Sequence, residues 1–231
     1  MIDPKKLLDD FLGQQGSKGG SSVRDKAGQV TQLAKDNPLA TGAIVAMLLG
    51  SKKGRKFAGG ALKLGGMAAI AGLAYKAYQD YQSGQKPGGA EATQEVLPPP
   101  SGTAFDTAEA PQGEDAFAFA LVRAMIAAAR ADGHIDDAER ARIAERLKET
   151  SIGAEAENFL IRELERPVDL DALVAAAETD AQKVELYTAS RLAIEPETRA
   201  ERGYLDMLAG RLKLPDVLVD HIEATVSQAA D

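Results

Sequence analysis

From residue 114 to the C-terminus the chain is written largely in Ala, Leu, Glu and Arg, and helix breakers interrupt it at short, regular intervals. The breakers are Asp132-Gly133, Ser151-Ile152-Gly153, Pro167, Thr179-Asp180, Pro196 and Pro215. Strong helix formers between such stops leave little room for strands. The pattern predicts an all-α domain with helices near residues 114–131, 136–149, 154–165, 169–178, 181–193, 197–213 and 216–229. In the first of these, Phe117, Leu121, Met125 and Ala128 recur at i, i+4, i+8 and i+11 and give one apolar face. A stretch of this length is enough for a single core.

Charge divides the chain. Residues 1–89 hold 13 Lys and Arg against six Asp and no Glu, a net of +7; residues 90–231 hold 14 basic and 29 acidic residues, a net of −15. A basic, Gly-rich arm suits an anionic surface, and an acidic second half argues against nucleic-acid binding there. Cysteine is absent, which excludes a disulfide framework, a thiolate zinc site and a cysteine nucleophile. Residues 1–11 hold no apolar run followed by a cleavage site, so no secretory signal is expected.

Four regions follow. Residues 1–38 form a polar N-terminal region with a Gly/Ser-rich stretch and a stop at Asn37-Pro38. Residues 39–81 are Gly/Ala-rich and apolar, and are read as a membrane-inserting segment. Residues 82–113 carry Pro87, Pro98, Pro99, Pro100 and Pro111 and read as a disordered Pro-rich linker, too polar to pack. Residues 114–231 are the helical domain.

The membrane reading rests on length and pattern. Residues 57–75 are apolar except for Lys63, and nineteen helical residues span about 28 Å, close to the hydrocarbon core. The uncharged run at residues 39–50 is too short to cross alone. Ala61, Gly65 and Ala69 make a small-xxx-small ladder suited to self-association. Tyr75, Tyr78 and Tyr81 are placed as interfacial anchors. Lys52, Lys53, Arg55 and Lys56 would meet anionic lipid at about 1 kcal/mol per charge; they lack the interleaved aromatics and recognition fold of a nucleic-acid site. A Gly/Ala-rich hairpin buried in protein has the same composition, as does a segment lying on the bilayer surface.

The sharpest local motif is Asp132-Gly133-His134-Ile135-Asp136-Asp137-Ala138-Glu139. It matches the second half of an EF-hand loop, but the first two ligand positions are occupied by Ala128 and Arg130. An echo at an offset of 62 residues pairs Val122 with Val184, Ala127 with Ala189, Ala131 with Ala193, Glu139-Arg140 with Glu201-Arg202 and Ile143 with Leu205. Two acidic turns facing each other would let Asp132, Asp136, Glu139, Glu195 and Glu201 share one calcium, magnesium or manganese ion, since hard cations need six or more oxygens. The simpler alternative makes Asp136 a helix cap and sets Glu139 against the helix dipole. His134 and His221 have no partner at ligand spacing and read as surface or turn residues. No nucleophile elbow, phosphate loop or dinucleotide fingerprint is present, so no enzymatic activity is expected.

The motif at residues 131–139 and the later Ala200-Glu201-Arg202-Gly203-Tyr204-Leu205-Asp206-Met207-Leu208-Ala209 resemble the TerB-like (tellurite-resistance) helical family over residues 114–229. With Leu48-Leu49-Gly50-Ser51-Lys52-Lys53-Gly54-Arg55-Lys56 and Gly72-Leu73-Ala74-Tyr75-Lys76-Ala77-Tyr78, the architecture is similar to the YebE-type bacterial inner-membrane proteins of unknown function. The resemblance implies a seven-helix TerB-like bundle, a single-pass or hairpin link to the bacterial inner membrane, an unknown protein partner for the acidic domain, and a role as an envelope-associated interaction or stress module. It also carries the alternative of divalent-cation binding in metal or oxyanion stress.

Overall fold

The computed structural model describes residue 5 and residues 66–89, 97–131 and 154–230. Among these residues the regular secondary structure is entirely helical, with no strand: α1 Gly66–Gln82, a 3-10 turn Thr107–Glu109, α2 Glu114–Ala129, α3 Ala154–Glu165, α4 Leu170–Ala175, α5 Asp180–Ala193, α6 Arg199–Leu212 and α7 Asp216–Ala230. The expected helix at residues 136–149 lies outside the described residues.

The predicted face of α2 is its buried face: Phe117, Leu121, Met125 and Ala128 are all closed off from solvent. That face lies chiefly on α5, while α3 and α4 flank α2 elsewhere. Local chemistry sets the ends. Glu114 and Asp115 supply negative charge to the first turn of α2. The Asp169 side chain accepts from Ala172 N to start α4. Thr179 and Gln182 form a reciprocal capping box on α5. At the end of α6, Lys213 takes a left-handed φ of 57°, letting Leu214 N donate to Ala209 O, and Pro215 prevents continuation.

The largest departure from the sequence reading is α1. Residues 57–75 were expected to meet lipid. From Gly66 onward that segment instead lies against α7 and α5. Met67, Ile70, Ala74 and Ala77 join the same core cluster as Phe117 and Leu186, and Ala69, Ala71, Gly72 and Leu73 are buried as well. A helix that is apolar all round needs an apolar surrounding, and neighbouring protein supplies one as well as lipid does. Among the described residues no helix is long and apolar enough to cross a membrane. Ala69 is 1% exposed, so it is not available as a self-association surface; Ala61 and Gly65 lie outside the described residues.

The tyrosines expected at a bilayer interface have ring partners in the protein. Tyr75 and Tyr78 stand 5.6 and 5.3 Å from Phe105, and Tyr81 stands 6.2 Å from the His221 ring, centroid to centroid. Phe105 belongs to the segment expected to be disordered, and it is 4% exposed. Its neighbour Asp106 accepts from Gly102 N and Ala108 N, folding the chain around it. Further on, the Gln112 and Gln182 side-chain amides bond reciprocally, and Gln112 also donates to Ala176 O. Residues 97–113 are therefore strapped across the bundle by one aromatic plug and one amide bridge. A composition argument misses this because two side chains do the fastening.

Candidate functional site

The acidic turns are the first place to look for chemistry. Of the five carboxylates expected to share a cation, Glu195 and Glu201 are described; Asp132, Asp136 and Glu139 lie outside the described residues. Glu201 is 7% exposed, and its Oε2 accepts from Thr198 N at 2.7 Å while its own N–H donates to Thr198 Oγ1 at 3.1 Å. This is a capping box that satisfies two orphan donors at the start of α6. Glu195 is exposed ahead of the turn, where its carbonyl accepts from Glu197 N. Glu201 thus faces inward onto a cap, while Glu195 is an exposed residue. No group of three or more His, Asp or Glu side chains fit to hold a metal occurs among the described residues. The 62-residue echo sets Asp136 in register with Thr198 and Glu139 with Glu201, so the first copy has the same cap spacing, Asp-x-x-Glu.

A second concentration of polar groups is buried. On α5, Gln182, Glu185, Thr188, Ser190 and Arg191 are withdrawn from solvent, and on α7 His221 and Thr225 are. Arg191 Nε and the Tyr187 hydroxyl both donate to the Glu223 carboxylate, while Arg191 Nη1 donates to Ile194 O and Nη2 to Ser227 Oγ. The result is a clamp between α5 and α7. Burial, reinforced by the Glu223 charge, raises the Tyr187 hydroxyl well above the ordinary tyrosine range and keeps it a donor. Burial alone pushes the Tyr204 hydroxyl up to about 12. Glu185 is 1% exposed, its Oε1 has no hydrogen-bond partner, and burial raises its carboxyl well above the usual range.

His221 corrects an expectation. It is 2% exposed in the middle of α7 rather than on a surface or turn. The register that buries Leu218, Ile222 and Val226 carries it inward. Sequence reasoning also passed over Glu185, Arg191 and Glu223. For the first two the available signal was a charged residue at a core-facing position of an otherwise apolar helix face. The Arg191–Glu223 pairing spans two helices and has no sequence-local sign.

A third arrangement is an open cleft between α2 and the α3–α4 turn, with a cavity of about 140 Å³. Ala120, Ala127 and Leu173 give it an apolar floor, and Arg123, Arg130, Arg166, Glu163 and Asp169 give it a charged rim. Glu163 bridges Arg123 and Arg166, both at 3.2 Å.

With this geometry in place, sequence comparison supplies the relationship. A family model described as Protein of unknown function (DUF533) matches residues 34–226. The chain belongs to the DUF533 family. It is 31% identical over 108 residues to an uncharacterized protein encoded in the ampR 5' region of Yersinia enterocolitica, covering 47% of this chain and 78% of that protein. No solved structure matches the chain. The DUF533 match runs through α1, the strap and the helices that follow up to Val226, so the segment first read as a membrane insert lies in one family unit with the bundle.

Proposed function

We propose that this DUF533 chain is a non-enzymatic, membrane-associated interaction module of the bacterial envelope, in which the helical bundle presents an acidic surface to a protein partner. The division of charge carries this reading: a net of +7 over residues 1–89 and −15 over the remainder. The basic part is attracted to anionic lipid and the acidic part is repelled from it, which orients the molecule at a bilayer. With Gly66–Gln82 inside the bundle, the lipid contact falls to the uncharged run at residues 39–50 and to Lys52, Lys53, Arg55 and Lys56. The TerB-like and YebE-type resemblance agrees with an inner-membrane site and a stress-related role.

Fractionation and vesicle sedimentation of the full-length chain test the proposal. The expected result is recovery with membranes, and co-sedimentation with vesicles containing phosphatidylglycerol that weakens when Lys52, Lys53, Arg55 and Lys56 become Gln. A chain that stays in the supernatant in both assays contradicts it.

A further inference from the structure

We propose that the cleft between α2 and the α3–α4 turn is a binding site for a small oxyanion, a carboxylate or phosphoryl group held between Arg123 and Arg166. This goes beyond the envelope role and does not depend on it.

Arg123 is fixed on two sides. Its Nε and Nη2 face the two oxygens of Glu163 at 3.2 and 3.4 Å, and its guanidinium carbon lies 5.8 Å from the Phe159 ring centroid. Phe159 is itself braced by Phe119, with ring centroids 4.8 Å apart. A guanidinium held between a carboxylate and an aromatic face has its plane set before any ligand arrives. Arg166 reaches Glu163 Oε1 through Nη1 alone, and its side chain is otherwise exposed. Most of its five donors are therefore open to a ligand. Arg130 donates to the Arg166 carbonyl and holds the turn in place.

The charges do not balance. Arg123 and Arg166 share one carboxylate, Glu163. The other carboxylate on the rim, Asp169, caps α4 through Ala172 N at 2.9 Å and keeps its charge, so the rim carries three guanidiniums, Arg123, Arg130 and Arg166, against two carboxylates. One positive charge in excess, beside an apolar floor of Ala120, Ala127 and Leu173, fits an anionic head with a small apolar body. Size selects further. A cavity of about 140 Å³ admits a group of a few heavy atoms, and the acidic remainder of residues 90–231 repels an extended polyanion. A single oxyanion escapes most of that repulsion, because the Debye length is about 8 Å at physiological salt. Guanidinium forks match the two-oxygen edge of carboxylate and phosphate alike.

Isothermal titration of the full-length chain with inorganic phosphate, and separately with acetate, at an ionic strength held constant with sodium chloride, tests the site. Saturable binding is expected, about tenfold weaker in Arg166→Gln and tighter in Glu163→Gln, where the competing carboxylate is gone. Arg166 is exposed, so its variant should fold, and circular dichroism checks that it does. Binding of phosphate alone assigns a phosphoryl ligand; binding of both assigns any small oxyanion. Heats indistinguishable from sodium chloride, or phosphate binding unchanged by Arg166→Gln, overturn the proposal.

Discussion

Two central helices of the bundle, α1 and α5, are both buried, and they reach burial by opposite means. The first half of helix α1 is built from Gly, Ala, Met, Ile and Leu and, apart from the half-buried Ala68, is closed off from solvent with no charged side chain. Helix α5 carries Gln182, Glu185, Thr188, Ser190 and Arg191 into the interior. By composition α1 resembles a membrane segment and α5 a surface helix, yet they touch each other. Composition reports how strongly a segment avoids water. It does not report whether lipid or protein replaces the water. In α5 the reverse holds: Arg191 and Gln182 enter the core where partners on other elements receive them, Glu223 and Gln112, while Glu185 is buried with Oε1 left without one.

The largest expected effect falls on α1. Ile70 is fully buried, and Ile70→Ala should cost about 2–5 kcal/mol through lost transfer energy and the cavity left behind. Urea unfolding of the full-length chain measures it. A cost under about 0.5 kcal/mol would mean that α1 is not held by the bundle.

For α5, Glu223→Ala on the facing α7 leaves Arg191 buried without its carboxylate and should cost about 2–3 kcal/mol, below the full value for a buried pair because the Glu223 side chain is 31% exposed. Tyr187→Phe removes a single donor to the same carboxylate, and about 1 kcal/mol is expected. Equal costs for the two variants would deny Arg191 its dominant part in the clamp.

The pH dependence of α5 has a definite sign. Burial raises the Glu185 carboxyl above its unfolded value, so the folded state binds the proton more tightly. The protonated carboxyl therefore favours folding fully below the unfolded pKa. That advantage fades as pH rises from there toward the folded pKa. In Glu185→Met the loss disappears, so the stability gap between variant and native chain should widen from pH 5 to pH 8 in urea titrations. A constant gap would place a compensating cation beside Glu185.

The smallest effects sharpen the reading of the acidic turn. Glu201→Ala should cost about 1 kcal/mol through loss of its part of the capping box, with or without millimolar calcium. A loss of calcium-dependent stabilisation in that variant would restore the shared-cation reading. Lys213→Gly should gain about 0.5–1 kcal/mol, because relief of the left-handed backbone outweighs glycine's entropic cost.

What the sequence made legible was local. The breakers Pro167, Pro196 and Pro215 fall between helices and Thr179-Asp180 marks the start of α5, and the Phe117, Leu121, Met125 and Ala128 stripe is the buried face of α2. Both are fixed by periodicity and backbone chemistry within a few residues. What stayed hidden depends on partners distant in the chain. Phe105 looks like one aromatic in a polar linker until Tyr75 and Tyr78 surround it. His221 looks like an ordinary polar residue until the register of α7 turns it onto Tyr81. Arg123, Glu163 and Arg166 are three unremarked charges until α2 and α3 bring them together.

The account stands most directly on whether α1 and α5 share one cooperative unit. Hydrogen exchange of the full-length chain, followed residue by residue through a urea titration in detergent-free buffer, measures this. The account predicts that the buried amides of Gly66–Gln82 and those of Asp180–Ala193 are protected alike and lose protection in the same transition. Rapid exchange across Gly66–Gln82 while Asp180–Ala193 stays protected, or protection there that appears only when lipid is added, would contradict it.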